Sequence, residues 1–118
     1  MALATVPTCV VSENGVFKYI AISATASDGS TKTLIRGLAG YPYHADIFRA
    51  TTESLAAAGL RLRPLGGGRM RRSGAHNEVL FIYGYSQAYG QADHALTMAL
   101  VRESMPDIKE VTWSNEGY

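Results

Sequence analysis

With 118 residues, 47% of them apolar, the chain is long enough for one domain with its own core, and a formal charge of +1 gives no bulk attraction to nucleic acid or membrane. The single cysteine, Cys9, excludes an internal disulfide and favours a reducing compartment, so a cytoplasmic location is expected. No apolar run approaches the ~20 residues that span a bilayer, and Met1 to Pro7 lacks the basic and apolar regions of a secretory leader.

Taken in order, residues 1–13 read as a loose lead-in. Val16 to Ser23 is expected as a strand: Val16, Lys18, Ile20 and Ile22 fall on one face, and Phe17, Tyr19 and Ala21 on the other. Both faces are mainly apolar, which places the strand centrally, with Lys18 as the exception. Asp28-Gly29 marks a turn, and Thr31 to Gly37 is a second strand, hairpin-paired with the first and carrying Arg36 near its end. A helix is expected from His44 to Ala58, with Ile47, Phe48, Thr51, Leu55 and Ala58 at helical spacing and Gly59 as its stop.

Leu60 to Leu65 is expected as a third strand, put at an edge or a strand end by Pro64 and ended by Gly66-Gly67-Gly68. Arg69 to Asn77 then reads as a basic loop or irregular strand. Val79 to Tyr83 is a buried strand of β-branched and aromatic residues, and Gly84 to Gly90 a small-residue turn. Gln91 to Met105 reads as a second helix, whose start would offer free N–H groups and the positive end of a helix dipole to an anion. Glu110 to Ser114 closes the chain as a strand. The order ββαββαβ predicts a single α/β (α+β) domain over residues 1–118, with one mixed sheet of about five to six strands between two helices.

Three histidines and a few cations carry the candidate chemistry. His44 starts a helix on its core-facing side, where the dipole disfavours imidazolium. A neutral imidazole there suits a base or a nucleophile, or simply a half-buried histidine bonded to backbone. His94 is expected to pack structurally, and His76 to be solvated. Lys18, Arg36 and Arg69 suit phosphate: arginine bonds oxygens bidentately and lysine acts as a point charge. Arg71 and Arg72 read as snorkelling side chains in a flexible loop. Other chemistries lack their motifs. Gly15 stands six positions after Cys9, where cysteine phosphatases need arginine, and Gly66-Gly67-Gly68 is not followed by Lys-Ser/Thr. No histidines stand three to five apart and the carboxylates are scattered, so no metal site is expected.

Several stretches together resemble the 14 kDa phosphohistidine phosphatase, or janus, family. They are Gly15-Val16-Phe17-Lys18-Tyr19, Ile35-Arg36-Gly37, Tyr43-His44-Ala45-Asp46-Ile47 and Leu65-Gly66-Gly67-Gly68-Arg69. Further along come Tyr83-Gly84-Tyr85-Ser86-Gln87-Ala88-Tyr89-Gly90, Asp93-His94-Ala95 and Glu110 to Tyr118. Two departures lie elsewhere: the segment Ala24 to Lys32 is short for the family, and the cysteines some members carry after the first helix are absent.

The resemblance implies a metal-independent protein histidine phosphatase with no cofactor, acting on phosphohistidine-containing proteins. It puts the family's catalytic histidine on His44, its phosphate-binding lysine on Lys18 and its phosphate loop on Ser86, Gln87 and Ala88, with Arg36 and Arg69 near the site. Neither nucleic acid nor membrane is an expected partner, and a monomer is expected. The same cradle would also suit a phosphate-recognition module without turnover. A third reading is single-stranded RNA binding on Tyr83, Tyr85 and Tyr89, disfavoured by their place in a buried strand and turn.

Overall fold

The computed structural model describes residues 2–117, Ala2 by its backbone alone. Met1 of the expected lead-in and Tyr118 of the C-terminal match lie outside the described residues. The elements run α1 (Ala2–Thr5), β1 (Cys9–Val11), β2 (Gly15–Thr25), β3 (Thr31–Gly37), α2 (His44–Ser54), a 3₁₀ turn (Ala56–Ala58), β4 (Arg61–Ser73), β5 (Val79–Tyr83), α3 (His94–Ser104) and β6 (Glu110–Trp113). The six strands form one mixed sheet in the order β1-β3-β2-β4-β5-β6. β1 runs parallel to β3, and β6 parallel to β5, while β3, β2, β4 and β5 pair antiparallel.

The long central strand β2 separates two cores by its alternation. Phe17, Tyr19 and Ala21 join Met70, Leu80, Ile82 and Val101 on the α3 side. Ile20, Ile22 and Ala24 join Leu34 and Ile47 on the α2 side. The mixed α+β sandwich expected from the sequence is therefore the observed fold, with helices on both faces because β2 is mainly apolar on both.

Four elements differ from expectation, the first being the helix expected to reach Ala58, which ends at Ser54 and is followed by the 3₁₀ turn before Gly59. The lead-in is structured: α1 and β1 dock on β3, held by Lys32 Nζ on the carbonyls of Leu3 and Val6 at 3.0 and 2.6 Å. The second helix begins at His94, three residues after Gln91, because the turn before it is pinned to the sheet through Gly67 N to Gly90 O and Ala92 N to Gly67 O.

Most consequential, Gly66-Gly67-Gly68 does not end a strand. β4 passes through it for 13 residues and includes part of the expected basic loop. A Cβ at Gly67 would lie 2.7 Å from His44 Cδ2, and one at Gly68 2.7 Å from His94 Cε1. The glycines are in mid-strand because imidazole rings from opposite faces occupy the space their side chains would fill. Pro64 lies where β4 has β2 on one side only, since β5 pairs with Arg69 to Ser73. Its missing N–H therefore costs no ladder bond on the open side.

Candidate active site

The cleft lies where α2 begins, above the middle of the sheet. It has a volume of about 620 Å³ and is lined by Lys18, Pro42, Tyr43, His44, Ala45, Arg69, Tyr85, Ser86, Gln87 and Ala88. Six of the seven residues singled out from the sequence thus meet here. Lys18 and Arg69 stand directly opposite each other on β2 and β4, so they share a face.

His44 is the first residue of α2 and is 93% shielded from solvent. Its Nε2 lies 2.8 Å from the Gly68 carbonyl oxygen. A carbonyl only accepts, so Nε2 carries the proton and Nδ1 keeps its lone pair. Nδ1 makes no hydrogen bond among the described residues, and no buried side-chain nitrogen there lacks a partner. The lone pair is accordingly open to the cleft. Burial holds the imidazole pKa below its ordinary value, with Lys18 and Arg69 pushing the same way against the Gly68 bond.

The wall opposite is the turn after β5. Ser86 and Gly90 exchange both backbone bonds, at 3.0 and 2.8 Å. The buried Ser86 Oγ accepts from Tyr89 N at 3.1 Å. These bonds fix the turn and leave the Gln87 and Ala88 amides without partners among the described residues. Two unpaired N–H groups on a rigid turn form a ready cradle for oxygens. Ser86 Oγ therefore helps to hold the turn as an acceptor.

The expected anion site at the start of α3 is not there. Asp93 caps that helix, accepting from Leu96 N at 3.0 Å, and its carboxylate occupies the position an anion would take. It is α2 that opens to the cleft: its cap residue Tyr43 offers no side-chain bond. Arg36 is also a correction. Its guanidinium does not line the cleft but donates to the carbonyls of Thr8, Ile35 and Pro7 at 3.1, 2.8 and 2.8 Å. It fastens the segment before β1 to β3, a role invisible while that segment read as loose.

His94 is fully engaged, as expected of a structural residue. Nε2–H donates to Gly84 O at 2.8 Å, and Nδ1 accepts from Tyr19 Oη at 2.5 Å. Thr97 Oγ1 stands 3.2 Å from the same phenol oxygen. Reasoning from sequence missed Tyr43 and Tyr85 as cleft walls and Gly67 as the floor under His44. Their positions within the matched stretches were the available signal.

The fold and site define a mixed α+β sandwich domain with a cation-lined, histidine-bearing cleft at a helix start. The Janus/Ocnus family matches residues 3–109, and the chain belongs to that family. It is 40% identical over 117 residues to the sex-regulated protein janus-A of Drosophila melanogaster, covering 99% of this chain and 85% of that one. It is 35% identical over 122 residues to the 14 kDa phosphohistidine phosphatase of Homo sapiens, covering 98% and 96%, and 33% identical to the same-named protein of Sus scrofa.

Proposed function

We propose that this protein removes phosphate from phosphohistidine in proteins, with His44 as general base or nucleophile and without a metal. The single observation that carries the reading is the His44 Nδ1 lone pair, fixed by Nε2–H to Gly68 O and facing a cleft lined by Lys18, Arg69 and the Gln87 and Ala88 amides. The relatives named phosphohistidine phosphatase support the substrate class.

Phosphoryl transfer asks chiefly for positioning and neutralisation of spread negative charge. Lys18, Arg69 and the two amides neutralise the non-bridging oxygens, and the α2 dipole adds to this. In the base route Nδ1 takes a proton as water oxygen bonds phosphorus. The P–N bond breaks, and the departing imidazole nitrogen takes a proton from solvent, to which Nδ1 returns its own. In the nucleophile route Nδ1 itself bonds phosphorus as that P–N bond breaks and the departing imidazole takes a proton from solvent; water oxygen then bonds phosphorus, its proton passes to solvent, and the new P–N bond breaks to restore the Nδ1 lone pair. The labile phosphoramidate bond makes either route feasible without a Lewis acid. Among the described residues no three His, Cys, Asp or Glu side chains converge as metal ligands.

The test is phosphate release from a phosphohistidine peptide in excess EDTA. Turnover by the wild type and none by His44→Ala is expected. Activity lost to EDTA and restored by Mg²⁺ or Zn²⁺ contradicts the metal-free mechanism. Binding without turnover favours a recognition module.

A further inference from the structure

α2 covers only part of its face of the sheet, and over the rest the described residues bring only the chain's end, with Gly117 beside the Tyr83 ring. The core beneath α2 draws on β2 and β3, with Leu62 of β4 at its margin, and includes no residue of β5 or β6. Beyond Lys18 and Arg69 the next cross-strand pair on this face is Val16 and Arg71, and β5 continues it with Phe81 and Tyr83. Val16 is 61% exposed. The Arg71 guanidinium lies 5.2 Å over the Phe81 ring, and Phe81 stacks on Tyr83 with centroids 5.1 Å apart and planes at 13°. A second hollow of about 360 Å³, lined by Val16, Lys18, Tyr41 and Arg69 among others, joins this face to the histidine cleft.

We propose that this open face is where the phosphorylated protein docks, and that it selects acidic residues near the phosphohistidine. The inference rests on the phosphatase reading of the cleft. Three observations carry it. The face continues from the cleft through two shared cations, so a chain whose histidine enters the cleft must cross it. Its near end carries the cations Lys18, Arg69 and Arg71, while Glu110 stands at the far end beside Val79. Its floor is a rigid apolar and aromatic platform already ordered by stacking, the kind of surface that gives a partner contact area at low entropic cost. Arg71 lies two strand residues beyond Arg69, about 7 Å along. An extended partner chain covers that distance in two residues, so the favoured acids stand two to four positions from the phosphohistidine. A nucleic acid fits less well, because Phe81 and Tyr83 stack on each other and leave no gap for a base.

The experiment compares two phosphohistidine nonapeptides, identical except for Asp or Lys at positions two to four from the modified residue, with phosphoramidate as the small substrate. Wild type is expected to favour the Asp peptide in kcat/KM by a few-fold to about 10-fold, the scale of several exposed charge pairs. Arg71→Glu should erase or reverse that ratio, and Val16→Asp lower it, with phosphoramidate turnover unchanged in both. Both substituted side chains are exposed, so the fold persists. An Asp-to-Lys ratio equal in wild type and Arg71→Glu overturns the docking face. So does Arg71-dependent binding of a single-stranded RNA 12-mer tighter than the Asp peptide. Binding of the Asp peptide is followed in parallel by fluorescence anisotropy. Arg71-dependent binding without hydrolysis of any substrate sustains the face and refutes the phosphatase reading instead.

Discussion

The two long helices begin alike and end their resemblance at one atom. His44 and His94 are each the first residue of a helix, and each donates Nε2–H at 2.8 Å to a glycine carbonyl, of Gly68 and Gly84 respectively. Each ring presses on the sheet from its own side, over Gly67 or Gly68. The difference is the second ring nitrogen. Nδ1 of His94 takes the Tyr19 hydroxyl in a buried set with Thr97, whereas Nδ1 of His44 meets only the cleft. Helix caps follow the same division, with Asp93 closing the start of α3 and no side chain closing that of α2. One orienting device thus serves both histidines, and the proposed reactivity of His44 rests on its other nitrogen having no protein partner among the described residues.

The sharpest way to break the comparison is to remove each ring. His44→Ala should lower kcat by about 10²–10⁴-fold, the usual worth of a positioned acid–base group. Far-ultraviolet circular dichroism should stay native. Near-normal turnover by the folded variant would equate the two histidines and refute the assignment.

Next in size is the cleft cation. Lys18 makes no hydrogen bond or ion pair among the described residues, so its charge is available to a ligand. A hydrogen bond to a charged group contributes roughly 1.5–3 kcal/mol, so Lys18→Ala should lose about 10- to 150-fold in kcat/KM. Unchanged kinetics would remove Lys18 from the site.

His94→Ala should act on stability. It leaves the buried Tyr19 hydroxyl with Thr97 Oγ1 as its remaining partner and opens a void, a loss of about 2–4 kcal/mol in denaturant unfolding. Activity per folded molecule should remain substantial. Tyr19→Phe removes the hydroxyl alone and should cost less, about 1 kcal/mol. A variant of His94 that stays fully stable yet inactive would reverse the roles.

The smallest effect is a shared dependence on pH. Burial holds both imidazoles below their ordinary pKa, so the unfolded chain binds more protons than the fold as the solution becomes acidic. The two groups cost nothing above the usual histidine value of ~6.5 and destabilise progressively as pH falls below it, until each folded-state pKa is passed. Thermal unfolding followed between neutral and mildly acid pH should show this slope, reduced in the double variant His44→Gln/His94→Gln.

Much of this arrangement was legible because it rests on periodicity. The alternation of β2, the hairpin with β3 and the helical spacing after His44 are local signals, and they placed Lys18 and His44 correctly on their elements. The Ser86 to Ala88 turn was legible from its resemblance. What escaped was non-local. Three glycines read as a break because the groups filling their places come from residues 23 and 26 positions away, His44 from Gly67 and His94 from Gly68. Arg36 read as a phosphate ligand because the carbonyls it holds belong to a segment without any pattern of its own. The start of α3 falls three residues after the expected Gln91, since the bridge from Gly67 to Gln91 leaves no trace in composition.

The measurement closest to the central claim is a long-range ¹H–¹⁵N titration of the histidine rings in the folded protein. His44 should titrate below ~6.5, with the proton of its neutral form on Nε2, and its Nδ1 resonance should move when phosphate is added. His94 should show the same tautomer and no response to phosphate. A neutral His44 protonated on Nδ1, or one titrating above the reference value, would contradict the account.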